Sequence, residues 1–194
     1  SGQSNSNNAA VGYYSLKAIT TGGDNVAVGS QAGDSVTSGA QNTFLGKQAG
    51  QAVTTQSNNT FLGFNSGINQ SGTANVAVGN HTMKNAVGDT NYSTAVGSGA
   101  MYSITTGDSN TAAGYQALKA CTTTGDNVAI GKNALLVCET GGYNTAVGTN
   151  ALDAVVDTNA NVAIGAYTLG ACTGGANTAI GYAALTANTS AANN

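Results

Sequence analysis

The chain has 194 residues and a net charge of −3 from five Lys and eight Asp or Glu, and only 7% of its residues are charged, against about 25% in ordinary soluble domains. With no Lys cluster, the basic footprint of a nucleic-acid binder is excluded, and no apolar run reaches the length of a membrane span. Leu, Ile, Val and Phe number only 33; Ala, Gly, Thr and Asn replace them, a composition for thin structures with close backbone approach rather than for a thick core.

In chain order the sequence resolves into one repeating unit. Glycines recur at Gly12, Gly29, Gly46, Gly63, Gly79, Gly97, Gly114, Gly131, Gly148, Gly165 and Gly181, with a dominant spacing of 17 residues. Internal repeats of this kind fix the architecture before any element is assigned. The eleven copies predict one all-β domain over 1–194, a parallel β-solenoid (β-roll) of eleven 17-residue coils without visible capping repeats. The chain opens on Ser1 rather than Met and shows no signal-peptide pattern, which reads as processing, a fragment or the ordered part of something longer.

Each copy opens on a short strand, N-(T/V)-A-(V/I)-G, with period-two alternation ended by a residue that tolerates positive φ. Four residues before the Gly stands Asn in all copies but one, where Ser93 replaces it. Stacked in register at about 4.8 Å per coil, the copies form a rod roughly 53 Å long. Asn25, Asn42, Asn59, Asn110, Asn127, Asn144, Asn161 and Asn177 then form an amide ladder. If the residues one and three before the Gly face inward, the intervening column faces out. Ala27, Phe44, Phe61, Ala77, Ala95, Ala129, Ala146 and Ala163 become a flat strip for contact with another copy. The alternative is that this column packs inside a flattened coil.

After the Gly come two variable positions, a small residue, then Leu, Met or Gly, as in Ala117-Leu118. This step reads as a bend or as a single helical turn; so few residues do not decide it. Three further on lies a second apolar column of Ile19, Val36, Val53, Ile104, Cys121, Cys138, Val155 and Cys172. The three Cys share it with aliphatic residues and lack C-x-x-C spacing, so they read as small core hydrophobes rather than as a disulfide or metal set. The copy closes on Thr-, Gly- and Asp-rich turns such as Thr105–Asp108, where Asp24, Asp108 and Asp126 read as turn caps.

Surface chemistry is sparse. The column just after the Gly carries Tyr13, Phe64, Tyr115 and Tyr182, aromatics able to stack on sugars. The lone His81 has no nucleophile or ligand partner in the pattern and reads as solvent-exposed. A Thr column (Thr20, Thr37, Thr54, Thr105, Thr122, Thr173), interrupted by Glu139 and Val156, is the only candidate for an ice-binding array. No catalytic, cofactor-binding or metal-ligating set is predicted.

The N-T-A-V-G-x-x-A-L pattern of Asn144–Leu152, with T-T-G turns, resembles repeats of bacteriophage tail fibres and bacterial trimeric fibre adhesins. It is also similar to a longer form of the head repeat of trimeric autotransporter adhesins. The resemblance implies a left-handed parallel β-roll, three chains side by side, and a role outside the cell or on a virion in attachment to a host surface. The expected partners are the chain itself, as homotrimer or end-to-end filament, and a surface glycan or receptor, with no nucleic acid, membrane insertion or cofactor. A ligand-free structural filament and an ice-binding solenoid are the alternatives.

Overall fold

The computed structural model describes residues 7–155, 157–187, 190 and 192–194; Val156 of the Thr column lies outside them. Eleven three-residue strands run in chain order: β1 (Ala9–Val11), β2 (Val26–Val28), β3 (Thr43–Leu45), β4 (Thr60–Leu62), β5 (Val76–Val78), β6 (Thr94–Val96), β7 (Thr111–Ala113), β8 (Val128–Ile130), β9 (Thr145–Val147), β10 (Val162–Ile164) and β11 (Thr178–Ile180). They form one parallel sheet in sequence order. Each residue pairs with its equivalent one copy away, as in Thr43 with Thr60 and Leu45 with Leu62. The chain is therefore a β-solenoid whose coils stack in register.

Each strand ends at its anchor Gly because nothing else fits. Gly114 has φ 143°, and a Cβ there would lie 2.4 Å from the Gly131 carbonyl oxygen of the next coil. The chain then bends without a helical turn. Backbone at alternate positions is left-handed, with φ 55° at Gln116 and 53° at Leu118. The freed polar groups are taken up by neighbouring coils: the Gln116 N–H donates to Ser98 O (3.0 Å) and the Leu118 N–H to Ala134 O (3.0 Å). Left-handed backbone costs a non-Gly residue about 1–2 kcal/mol, and these bonds between coils are what offsets it.

The strand faces are opposite to the first expectation. Ala27, Phe44, Phe61, Ala77, Ala95, Ala129, Ala146 and Ala163 point inward and are fully buried within the single chain, so none of them forms an outward contact strip. The interior is too narrow for Val or Ile here, because the Leu or Met column enters it from the other side of the coil. Leu118, Leu135, Leu152 and Leu169 fill that side, together with Met83 and Met101 and the second apolar column. The Thr/Val and Val/Ile/Leu positions of each strand face out.

Phe44 and Phe61 show how tight this fit is. A Cβ at Gly50 would lie 2.3 Å from Phe44 Cε1, and one at Gly67 would lie 2.5 Å from Phe61 Cδ2. Where the strand supplies a ring, the facing column supplies no side chain, and the pair conserves volume. Gly33, one coil earlier, makes room for the same Phe44 ring.

One irregularity sits where the spacing changes from 17 to 16 and then 18. Gln70 occupies the second apolar column, fully buried. Its Nε2 donates to Thr90 O (3.0 Å), but its Oε1 has no partner.

Two predictions follow from the packing. Phe44→Ala alone loses about 3–5 kcal/mol and Gly50→Leu alone disrupts the fold. The double substitution recovers to within about 1.5 kcal/mol of the parent, because Leu is accommodated at left-handed φ in this column; urea unfolding of the three variants measures it. Gln70→Val, matching Val36 and Val53, raises stability by about 1 kcal/mol, since the Thr90 carbonyl keeps the Asn75 Nδ2 donor; the same unfolding curves read the shift.

Candidate functional site

The Asn column is buried and continuous. The backbone N–H of Asn42 donates to Asn25 Oδ1 (3.0 Å), Asn127 to Asn110 Oδ1 (3.0 Å), Asn144 to Asn127 Oδ1 (2.9 Å) and Asn177 to Asn161 Oδ1 (3.0 Å). The ladder predicted from the sequence joins side chain to side chain; here the recurring bond is donated by the backbone N–H to the side-chain oxygen one coil earlier. Direct amide–amide bonds accompany it in part of the stack, as at Asn42 Nδ2 to Asn25 Oδ1 (3.0 Å) and Asn161 Nδ2 to Asn144 Oδ1 (3.1 Å). Elsewhere the Nδ2 caps a turn, as at Asn110 to Thr124 O (2.8 Å) and Asn144 to Thr158 O (2.8 Å).

Ser93 does not break the chain of bonds. Its N–H donates to Asn75 Oδ1 (3.0 Å), and its Oγ accepts the Asn110 N–H (3.1 Å). The polar tail adds one rung: the Asn194 N–H donates to Asn177 Oδ1 (3.1 Å), and Thr178 N–H donates to Asn194 O (2.8 Å). Asn194 lies 17 residues after Asn177, the one signal that could have placed it.

Hydroxyls of the Thr column bond within the chain, several of them at its surface. Thr20, Thr105 and Thr122 Oγ1 donate to the carbonyls of Thr37, Thr122 and Glu139 at 2.9, 2.7 and 2.9 Å. Cys121, Cys138 and Cys172 are buried and free. Cys121 Sγ meets Thr124 Oγ1 and Cys138 Sγ donates to Gly141 O (3.1 Å). Its contact with the Cys121 side chain and then burial push the Cys138 thiol up, away from nucleophile range. Among the turn acids, Asp24 Oδ1 accepts from Asn7 Nδ2 (3.1 Å) and Asp108 Oδ1 from the Asn91 N–H (2.6 Å). No three His, Cys, Asp or Glu come together as a metal site among the described residues. Nor is any helix there long and apolar enough to cross a membrane.

Tyr13, Phe64, Tyr115 and Tyr182 all stand exposed on the side of the coil that follows the strand. They do not form one platform, because three or four coils separate them. Three of them have ring neighbours of their own: Tyr13 stacks on Tyr14 (centroids 3.9 Å), Phe64 meets His81 edge-on (5.3 Å), and Tyr182 meets Tyr167 (5.9 Å).

His81 is not the free surface residue the sequence suggests. It is half-buried between Phe64 and Tyr102, whose ring centroid is 6.4 Å away. Burial first, and the nearby Lys84 charge second, hold its pKa below the ordinary value. A cleft of about 390 Å³ opens beside it, lined by His81, Ser98, Gly99, Tyr102, Tyr115, Gln116 and Lys119. Tyr102 and Lys119 escaped the sequence reading; they stand five residues after their Gly, with Lys84 in the same column, a register that only the stacking makes meaningful.

Comparison of the chain with protein-family models, curated proteins and solved structures finds no match.

The ladder yields a sharp test. Asn127→Ala removes the acceptor of the buried Asn144 N–H and the Nδ2 donor to Gly141 O (3.1 Å). A stability loss of about 1–3 kcal/mol is expected from the stranded Asn144 N–H, since the Gly141 carbonyl keeps the Cys138 thiol as a donor. Asn127→Ser recovers at least half of it, as Ser93 does naturally; thermal unfolding of both variants provides the comparison.

Proposed function

We propose that the chain is a structural and adhesive fibre segment, of the kind its repeats resemble in phage tail fibres and bacterial trimeric adhesins. Three copies stand side by side outside the cell or on a virion, wound left-handed as the resemblance implies, and serve attachment to a host surface. No chemistry on a substrate is assigned to it. The observation that carries this reading is the outer face of the sheet. Leu45, Val96, Ile130 and Ile164 are each at least 40% exposed, in a column flanked by the Thr/Val column, and neither column carries a charge. A straight apolar strip along a rod is a contact surface in a soluble assembly. Covering it desolvates no ion and strands no backbone group, since the strand N–H and C=O groups bond between coils. The oligomer contact thus passes from the Ala column to the two columns beside it.

The way one coil bonds to the next supports a second reading. Gly29 N–H donates back to Val11 O and Val26 N–H forward to Asn42 O, both at 2.8 Å, and coils of different chains can continue a stack by the same bonds. End-to-end association makes the same rod a self-assembling filament.

Light scattering of the purified chain separates these readings. The side-by-side trimer predicts a discrete species of three times 18.9 kDa, and Val96→Lys with Ile130→Lys reduces it to one chain mass with the unfolding temperature of the coil largely kept. Long polymers in electron micrographs favour the filament, and a wild-type species of one chain mass overturns both.

A further inference from the structure

We infer that the cleft beside Gly99 is a binding site for a carboxylated saccharide, such as a uronate or sialate residue. The inference rests on the adhesive reading above and gives it a ligand class. The cleft exists because one position in a column of side chains is empty. Two residues after the Gly the neighbouring coils carry His81 and Gln116, and between them Gly99 carries nothing. A Cβ there would meet only Gln116 Cγ, at 3.6 Å. The gap is thus open to solvent rather than filled by a neighbour.

Its walls suit a sugar. Tyr102 is half-buried and is met from the preceding coil by the His81 ring (6.4 Å) and by Lys84, whose Nζ lies 5.5 Å from the Tyr102 centroid. Tyr115, in the following coil, is exposed at the rim. Ordered aromatic faces pack against the C–H face of a pyranose at small entropic cost. The Ser98 hydroxyl and the Gln116 amide are hydrogen-bonding groups for ring hydroxyls. A cleft of about 390 Å³ lies within the range of small-ligand sites.

Charge selects the class of sugar. Lys84, Lys119 and Lys132 stand on this side of three coils, out of five Lys in a chain of net charge −3. The acids of the same stretch, Asp89, Asp108 and Asp126, are in the Thr- and Gly-rich turns elsewhere on the coil. A carboxylate in the cleft meets the Lys119 ammonium with no competing acid among the residues lining it. The site has no carboxylate of its own to act as a general acid, so it holds a sugar and does not cleave it.

Calorimetric titration of the purified chain with 3′-sialyllactose, digalacturonate, lactose and inorganic sulfate tests this, with the mass of each sample taken by light scattering. At least one carboxylated sugar is expected to bind at least tenfold more tightly than lactose or sulfate. Gly99→Gln fills the gap with the side chain that the column carries at Gln31, Gln48 and Gln116, which take the same left-handed backbone, so it folds and abolishes binding. Lys119→Gln weakens binding at least tenfold and removes the preference over lactose. Silence from both acidic sugars overturns the site, as does equal binding of lactose or sulfate, or unchanged affinity in Gly99→Gln and Lys119→Gln. A trimer that binds neither acid sinks the cleft and leaves the fibre; a lone chain that binds one keeps the cleft and sinks the fibre.

Discussion

A coil of this chain cannot satisfy its own backbone. A loop of 17 residues with one three-residue strand has few partners inside itself, and its polar groups look to the coils above and below. Val26 donates to Asn42 O and Gly29 to Val11 O, both at 2.8 Å, one bond forward and one back. Unpaired backbone groups away from water are costly, so each coil holds its shape only against its neighbours, as in repeat proteins generally. The other features answer this requirement. Gly at the strand end lets the next coil approach, Asn bridges where the strand begins, and left-handed turns aim successive N–H groups along the rod rather than around it.

The same constraint shapes the interior. Coils held in register by backbone bonds keep a constant cross-section, and side chains must share a narrow slot. Ala on the strand and Leu or Met opposite fill it; Phe on the strand with Gly opposite fills it equally well. The large aliphatic residues left over go outside, which gives the rod its apolar flank and makes assembly with other copies the natural reading. The aromatic and basic side chains sit on a different stretch of the coil, where a single missing side chain is enough to make a cleft.

How much was legible in the sequence depended on whether stacking multiplied the signal. The repeat, the strand positions and the Asn column were readable because one residue type recurs at one spacing, and a parallel stack places equal positions together. The direction of the strand faces was misread. In T-A-V, alternation alone does not tell an inward Ala from an inward Val. The corrective signal was present in Phe44 with Gly50 and Phe61 with Gly67, since residues that trade volume must share a space. The cleft was less legible, because it depends on Gly99 lacking a side chain between His81 and Gln116 and on Tyr102 meeting Lys84 and Lys119 across coils. The His81 surroundings were hidden for the same reason, as its partners Phe64 and Tyr102 are about a repeat away in sequence.

Native-state hydrogen exchange followed by NMR tests the stacked ladder most directly. If coil-to-coil bonding holds the fold, the backbone amides of Asn42, Asn127 and Asn144, with the strand amides beside them, exchange only through the largest openings of the molecule and at closely similar rates. Amides in exposed turns that donate to no neighbouring coil, such as that of Asp108, exchange far faster. Asn amides that exchange as readily as those turns would contradict the account, because the ladder would then not be what holds one coil to the next.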